Sequence, residues 1–475
     1  MKQFIILKTL TILIALTGLT TSKTKAEWRN RTIYQLMTDR FWRTDNKTTE
    51  CMNLRAYCGG TYKGIIQNLD YIQGMGFDAV WISPVPKNTP GGYHGYYAQD
   101  FEKLNEHFGT EQDLVNLISA LHERGMWVMV DVVANHAGYI KDNDDFMMIN
   151  PFNHEEHYHN YCLIDDSDYK TDPKRVRRCW LSNLPDLDQQ NPFVRNYLIN
   201  WINRLVEKYN IDGIRIDTVA QVPKSFWAEY AESAGVFALG EVAVGRNISY
   251  VAEYQGTLDG ILNYPMYYAL TDIYANGNNM YDLRSWIADI KYEFLDVSVL
   301  GTFVDNHDQP RFLSYKASTT KRLRSALAFI LFSEGIPIVY YGTEQGDGNG
   351  NDPFNRKPLW MALNPGSPMY SFITILVGYR KKLKVWNEKF IERYVSDDVF
   401  IFSRGKNLVV TTNSQKPQDL HIQVDYLPFD EGEIICNVLS LGGAGKKCVE
   451  VRNGAVNIAI MDKEAMFFVP RSDLN

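Results

Sequence analysis

The chain has 475 residues, enough for a large domain with one or two attached units. Its formal net charge of −7 gives no basic footprint, which argues against nucleic acid as a partner. Hydrophobic residues make up 45% of the chain and aromatic residues 13%, as is typical of a globular protein with a large core.

The N-terminus has the pattern of a secretory signal. Lys2 precedes a broken apolar run that is short for a membrane span, and the stretch 24–26 (Thr-Lys-Ala) offers a small-x-small cleavage site. We therefore predict a signal peptide over 1–26, no stable membrane insertion, and a secreted protein, either extracellular or in the lumen of a digestive or lysosomal compartment.

Cysteine and asparagine patterns agree with that route. The six cysteines fall as three sequence-local pairs, which predicts three disulfides: Cys51 with Cys58, Cys162 with Cys179, and Cys436 with Cys448. The sequence contains no CxxC spacing of the kind that indicates a zinc site. Three Asn-x-Ser/Thr acceptors predict glycosylation in a eukaryotic lumen, at Asn30, Asn46 and Asn247.

Short apolar runs alternate with amphipathic helical stretches through most of the chain. The predicted strands lie at 32–37, 77–82, 126–133, 213–216, 236–240, 257–262, 297–304 and 337–341. Helical spacing is found at 64–75, 111–124, 191–209, 322–332 and 372–383. This rhythm predicts an α/β fold with a parallel (β/α)8 TIM barrel.

The rhythm breaks after the third strand. Residues 137–188 have no regular period but are rich in Asp, Asn, His and Tyr, which indicates a functional insertion on the side where the strands end. From about residue 391, short alternating runs predict a C-terminal antiparallel β-sandwich. The predicted domains are the barrel at 27–136 and 189–390, the insertion at 137–188, and the β domain at 391–475.

Three acids follow three different predicted strands, namely Asp217, Glu241 and Asp308. Because the carboxyl ends of barrel strands gather at one face, we expect these side chains to converge there. Helix capping could account for each acid alone. It does not explain why two of the three acids lie close in sequence to Arg215 or His307. A carboxylate pair at such a face can cleave a glycosidic bond.

Four motifs carry a resemblance to the α-amylase family, glycoside hydrolase family thirteen, and most closely to its secreted fungal-type α-amylases. They are Asp-Val-Val-Ala-Asn-His at 131–136, Gly-Ile-Arg-Ile-Asp at 213–217, Gly-Glu-Val at 240–242, and Phe-Val-Asp-Asn-His-Asp at 303–308. Leu-Pro-Asp-Leu-Asp at 184–188 looks like the marker of true α-amylases. The resemblance implies retaining endo-hydrolysis of α-1,4-glucosidic bonds in starch, glycogen and malto-oligosaccharides, and we expect a monomer.

The resemblance also implies roles for single residues. Asp217 would be the nucleophile, Glu241 the general acid/base and Asp308 the transition-state stabiliser. Arg215 lies two residues before Asp217 on the same strand face and is expected to keep it ionised, whereas Glu241 needs a raised pKa. The implied substrate contacts are Tyr96, Tyr97, His136, Arg215, Gly245, His307, Asp352 and Arg356.

A structural Ca²⁺ between barrel and insertion is a further implication of the resemblance, and calcium requires oxygen ligands. Asn135 and Asp186 match the side-chain ligands. The backbone carbonyls of Arg177 and Gln221 match the other two.

The chain departs from the family after the nucleophile strand. Ala220-Gln221 replaces a Lys-His pair of relatives and removes a cation that contacts the leaving-group sugars. An α-glucosidase or transglycosylase of the same family, acting on malto-oligosaccharides, therefore remains an alternative. A non-catalytic relative that serves as a binding subunit would need a membrane anchor and lost acids, yet all three acids are present.

Overall fold

The computed structural model describes residues 23–140, 145–414, 419–439, 448–461 and 463–474. Most of the predicted signal peptide, residues 1–22, lies outside them. None of the helices in the described ranges is both long and apolar enough to span a bilayer.

Eight parallel strands form the barrel, and an antiparallel hairpin (β3 and β4) stands beside it. The strands are β1 Ile33–Gln35, β2 Ala79–Ile82, β3 Pro86–Asn88, β4 Ala98–Leu104, β5 Trp127–Val132, β6 Gly213–Ile216, β7 Phe237–Gly240, β8 Gly260–Ile261, β9 Gly301–Thr302 and β10 Ile336–Tyr340. The sheet order is β8-β7-β6-β5-β2-β1-β10-β9, and a parallel bridge between Leu262 and Gly301 joins its two ends. The sheet is therefore closed, and the predicted TIM barrel is confirmed.

Helices surround this barrel and turn their apolar faces towards it, except for two short helices that lie in the insertion after β5. They are α1 Lys25–Trp28, α2 Thr38–Phe41, α3 Tyr62–Gln67, α4 Leu69–Gly74, α5 Glu111–Glu123, α6 Asp168–Thr171, α7 Pro173–Val176, α8 Pro192–Tyr209, α9 Lys224–Ala234, α10 Ile248–Ala252, α11 Tyr264–Leu270, α12 Met280–Glu293, α13 Thr320–Phe332 and α14 Pro368–Lys382. In α8 the buried residues recur at helical spacing, as at Val194, Leu198 and Leu205. Asn191 caps this helix and Asn210 ends it in the left-handed conformation.

The chain enters the barrel through α1, which spans the predicted cleavage position after Ala26. Thr24 caps this helix with a reciprocal bond to Glu27. Trp28 packs against the rings of Trp127 and Phe237, at centroid distances of 5.1 and 5.3 Å. The described fold thus begins before the barrel's first strand.

In its described residues, the insertion between β5 and α8 contains the short helices α6 and α7, two 3-10 turns and one disulfide. Its irregular sequence predicts this scarcity of regular structure. All three predicted disulfides are formed, linking Cys51 with Cys58, Cys162 with Cys179, and Cys436 with Cys448.

The C-terminal strands form two antiparallel sheets, which confirms the predicted β domain. The strands are β11 Phe390–Val395, β12 Val399–Arg404, β13 Leu408–Thr412, β14 Leu420–Val424, β15 Ile434–Asn437, β16 Cys448–Glu450, β17 Val456–Ile460 and β18 Met466–Pro470. Six of them form the larger sheet, β11-β12-β13-β18-β15-β16, and β14 pairs with β17. Side chains of β12 alternate between two cores: Ile401 packs inside the sandwich, while Phe402 packs with the barrel helices.

Candidate active site

One buried guanidinium gathers the acids of three neighbouring strands. Arg215 on β6 has no exposed surface, and its Nη1 donates to Asp217 Oδ1 (2.7 Å) and to Asp131 Oδ1 (2.9 Å). Its Nη2 lies 2.9 Å from Glu241 Oε1 as an ion pair, although the angle is poor for a hydrogen bond. Parallel register pairs Asp131 with Arg215 and Arg215 with Leu239, which sets these groups at one height.

Burial strongly affects the charge of these acids. It raises the pKa of Asp131 to about 6, and it raises the pKa of Asp217 above its ordinary value. Arg215 opposes both shifts, while Glu241 adds repulsion to each carboxylate. The expectation that Arg215 keeps Asp217 ionised took account of the attraction between the two charges and not of the burial of the carboxyl group. Because burial acts the other way, ionisation of Asp217 depends on its direct contact with Arg215.

Glu241 follows β7 and is held through both of its oxygens. Tyr264 Oη donates to Oε1 (3.0 Å), and the backbone N–H of Thr218 donates to Oε2 (3.2 Å). Tyr264 in turn accepts from Asn306 Nδ2 (3.1 Å). These bonds orient the carboxyl group at the edge of the cleft, where it can reach a bound oxygen.

Asp308 lies on the loop after β9, and its side chain is 35% exposed. Arg356 Nη2 donates to its Oδ1 (3.1 Å), and His307 Nε2 lies 3.1 Å from its Oδ2. The same His307 nitrogen lies 2.7 Å from Tyr96 Oη, which donates to Asp131 Oδ2 (2.7 Å). A continuous series of polar contacts therefore connects this loop to the acids on the strands.

The two predicted substrate histidines are held neutral near pH 7. Burial lowers the pKa of His136 to about 4, and burial together with Arg215 and Arg356 lowers that of His307. His136 Nε2 lies 3.2 Å from the Tyr96 carbonyl. A neutral imidazole can both donate and accept a hydrogen bond, as sugar hydroxyls require.

These groups border a cleft of about 650 Å³ at the carboxyl ends of the strands. The sequence-predicted residues that line it are Tyr96, Tyr97, His136, Asp217, Gln221, Glu241, Asp308, Asp352 and Arg356. Arg215 and His307 lie directly beneath them. Gly245, in a left-handed turn at φ 78°, is not among the described residues that line the cleft.

The insertion supplies one wall of this cleft through Tyr169, Leu181, Ser182 and Leu184. Gln221 Nε2 donates to Tyr169 Oη (2.7 Å), so the loop after the Asp217 strand is bonded to this wall. Sequence reasoning did not identify Tyr169. Its helix lies in the stretch without period, and a tyrosine in such a stretch gives no positional signal.

Two oxygens of the predicted calcium set are buried without a partner. Neither Asn135 Oδ1 nor Asp186 Oδ1 meets a hydrogen-bond donor in the described residues. The backbone N–H of Leu187, the residue after Asp186, donates to the Asn135 carbonyl (2.8 Å). Asn135 and Asp186 therefore lie close together. Unsatisfied buried oxygens fit a hard cation. Within the described ranges no group of three or more His, Cys, Asp or Glu forms a metal site, so carbonyls such as those of Arg177 and Gln221 would have to complete it.

The three predicted glycosylation acceptors lie at or near the surface. Asn46 and Asn247 are exposed, and Asn30 is half-buried. Asn247 Oδ1 accepts from the Tyr250 N–H (3.1 Å), and Asn46 Oδ1 accepts from Trp42 Nε1 (2.8 Å). Neither bond uses the side-chain nitrogen to which a glycan attaches, so glycosylation stays a prediction for all three.

Comparison with known proteins gives consistent results. The sequence model of the family described as "Alpha amylase, catalytic domain" matches residues 35–369. The chain is 42% identical over 369 residues to Alpha-amylase 1 of Lipomyces kononenkoae, a match that covers 74% of this chain and 58% of that protein. It is 38% identical to Alpha-amylase 1 of Schwanniomyces occidentalis, over 91% of this chain and 90% of that one.

A solved structure gives the same result for the fold. The α-amylase of Malbranchea cinnamomea superposes with a TM-score of 0.89 at 38% identity, covering 94% of this chain and 98% of that chain. The predicted family, barrel fold and glycoside hydrolase class are thereby confirmed. This chain belongs to the α-amylase family.

Proposed function

We propose that this chain is a retaining, endo-acting α-amylase that hydrolyses α-1,4-glucosidic bonds in starch, glycogen and malto-oligosaccharides. The observation that carries the proposal is the contact of one buried guanidinium with both Asp217 and Glu241, in a cleft that Asp308 also lines. Two carboxyl groups that contact the two terminal nitrogens of one guanidinium are close enough to act on one glycosidic bond.

In the first half of the reaction, Asp217 attacks the anomeric carbon while Glu241 donates its proton to the departing glycosidic oxygen. The bond to the leaving sugar breaks, and a covalent glycosyl–Asp217 ester forms. Arg215 stabilises the carboxylate of Asp217 before attack. Tyr264 keeps the carboxyl of Glu241 aimed at the cleft, so the proton is delivered from a fixed position.

In the second half, Glu241 accepts a proton from water, and the water oxygen displaces Asp217 from the anomeric carbon. The configuration is inverted twice and is therefore retained. Asp308, His307 and His136 are the groups that would hold sugar hydroxyls beside the reacting carbon. Their interactions lower the barrier to the extent that they strengthen in the transition state.

The second candidate is an α-glucosidase or transglycosylase of the same family that acts on malto-oligosaccharides. The supporting observation is the neutral contact between Gln221 and Tyr169 near Glu241, next to a buried Ala220. A sugar held there by neutral groups alone would compete with water as the acceptor. The products from soluble starch distinguish the two: mixed short oligosaccharides indicate endo-hydrolysis, whereas glucose alone indicates exo-cleavage.

The proposal includes a structural Ca²⁺. The oxygens of Asn135 and Asp186 would bind it together with the carbonyls of Arg177 and Gln221, and it would link the insertion to the barrel. We further propose that the chain acts as a secreted or lumenal monomer. Three disulfides support that location, and one chain supplies all the catalytic groups named above.

An NMR time course of maltoheptaose hydrolysis tests the reaction class. We expect α-anomers as the first products, formed before mutarotation. First products with the β-configuration would contradict the retaining mechanism. If the protein cleaves no glucan at all, the proposal as a whole is contradicted.

A further inference from the structure

Asn355 lies beneath the loop that carries Asp308. It has no exposed surface, and its side-chain nitrogen donates to two backbone carbonyls, those of His307 (2.9 Å) and Gln309 (2.9 Å). These carbonyls flank Asp308 on both sides. Only the nitrogen end of an amide can donate to two carbonyls, so its partners determine the orientation of this side chain.

Asn355 is itself held by the barrel. Its backbone carbonyl accepts from Arg311 Nε (3.1 Å) and from Tyr340 Oη (3.3 Å), and Tyr340 is the last residue of β10. The Arg311 guanidinium is buried 4.1 Å from the centre of the Tyr340 ring. Asn355 therefore connects the end of a barrel strand to the Asp308 loop.

The loop depends on such connections because no strand positions Asp308. β9 ends at Thr302, well before this residue. Within the loop, the Asn306 side chain accepts from the N–H groups of Asp308 and Gln309 (2.9 Å each). Asn306 thus binds the amide hydrogens of the loop, and Asn355 binds its carbonyls, sharing that of His307 with Arg356 Nε (2.8 Å). Together they define the backbone from which the carboxylate projects.

We infer that Asn355 is a positioning residue for Asp308, an inference that rests on the proposed function. A displacement of about 1 Å in a reacting group costs about a hundredfold in rate. Ground-state binding uses many other groups of the cleft, so the loss of this bridge would affect the transition state selectively. Asn355 would then influence kcat without contacting the substrate.

Steady-state kinetics on maltoheptaose test this role. Asn355→Leu keeps the size of the side chain and removes both donors. We expect kcat to fall about a hundredfold, with KM within about threefold of the parent value. Phe354→Leu is the matched control because Phe354 lies in the same turn, with 56% of its surface exposed, and it should retain the parent kcat. An unchanged kcat in folded Asn355→Leu would overturn the inference, as would a loss carried mainly by KM.

A double-mutant cycle distinguishes positioning from general support of the fold. In an Asp308→Asn background, Asn355→Leu should lower kcat by less than about threefold, because the group that it positions is already disabled. An equal, hundredfold loss in both backgrounds would overturn the inference.

Two further outcomes remain decisive. If Asn355→Leu does not fold, Asn355→Ser replaces it and must show the same separation of kcat from KM. Full activity of Asp308→Asn would instead contradict the proposed function, so the two failures are distinguishable.

Discussion

The acids at the strand ends and the insertion wall face each other across one cleft, but they are built by different means. Asp217 and Glu241 follow parallel strands, and the ladder of backbone hydrogen bonds fixes their height relative to Arg215. The wall contains short helices, turns and one disulfide. Its position depends on core packing of side chains such as Phe152 and on separable connections such as the bond from Gln221 to Tyr169.

This difference predicts how each region fails. A change among the acids should remove the chemistry and leave the fold, because the strands hold their geometry independently of the acid side chains. A change in the wall should loosen structure and activity together, because each connection contributes to both. The predictions below test that distinction.

The largest effect is expected from Asp217→Asn, which removes a charge and preserves volume. We expect kcat to fall by at least about a thousandfold, equivalent to about 4 kcal/mol of barrier. The melting temperature should stay within a few degrees of the parent. Kinetics and calorimetry on the same preparation check both statements. A purified variant that retained a tenth of the parent rate would show that Asp217 is not the nucleophile.

Breaking the wall's disulfide should have the next largest effect. The Cys162→Ala/Cys179→Ala double variant opens a loop with a sequence separation of 17. In the chain-entropy model it should lose about 3 kcal/mol of unfolding free energy. Urea denaturation measures this loss, and KM should rise as the wall loosens. The matched control, Cys51→Ala/Cys58→Ala, opens a separation of only 7 and should lose less.

The third test concerns the ion. Calcium at a hundredfold excess over its Kd should stabilise the folded chain by about 2.7 kcal/mol. A chelator should therefore lower melting temperature and activity together, and Asp186→Ala should behave like the chelated parent. Adding chelator to Asp186→Ala should change nothing further. If the melting temperature is unchanged in chelator and elemental analysis finds no calcium, the protein does not bind the predicted ion.

The smallest effect concerns pH and His94, which lines the cleft. Burial, reinforced by Arg356, lowers the pKa of His94 well below its ordinary value. The unfolded chain therefore binds more protons below the ordinary histidine pKa of about 6.5. Stability should fall as pH decreases through that value, by up to about 1.4 kcal/mol per pH unit for this group.

His94→Gln should make that pH dependence shallower, and the part due to buried His136 and His307 should remain. Urea denaturation at pH 7 and pH 5 measures the slope for both proteins. Parallel slopes in parent and variant would show that His94 does not cause the acid sensitivity.

The sequence predicted the strands before Asp217 and Glu241 well and the strand before Asp308 less well. The runs at 213–216 and 236–240 are short, apolar and closely bounded, and they coincide with β6 and β7. The predicted strand at 297–304 is reduced to Gly301–Thr302, because Asp296 caps a 3-10 turn over Val297–Val299. Alternating β-branched residues do not distinguish such a turn from a strand.

Residues that hold the acids were harder to find than the acids themselves. Tyr264 and Asn355 reach Glu241 and the Asp308 loop across long sequence separations, and neither position has a periodic signal. Asp131 did carry a sequence signal, because it is the first residue of the motif that ends in His136. Its contact with Arg215 follows from strand register, which no single sequence specifies when neighbouring strands lie far apart in the chain.

The two-faced C-terminal sheet has a consequence for engineering this chain. Phe402 on β12 packs against Phe329 of α13 (ring centroids 5.6 Å), and Phe467 on β18 packs against Phe332 (4.3 Å). Arg404 Nη1 also donates to the Ser333 carbonyl (2.7 Å). A shortened protein that stops before β11 would present these rings of α13 to water and would aggregate. The C-terminal unit is therefore not a detachable cassette, and fusion partners belong beyond its last strand.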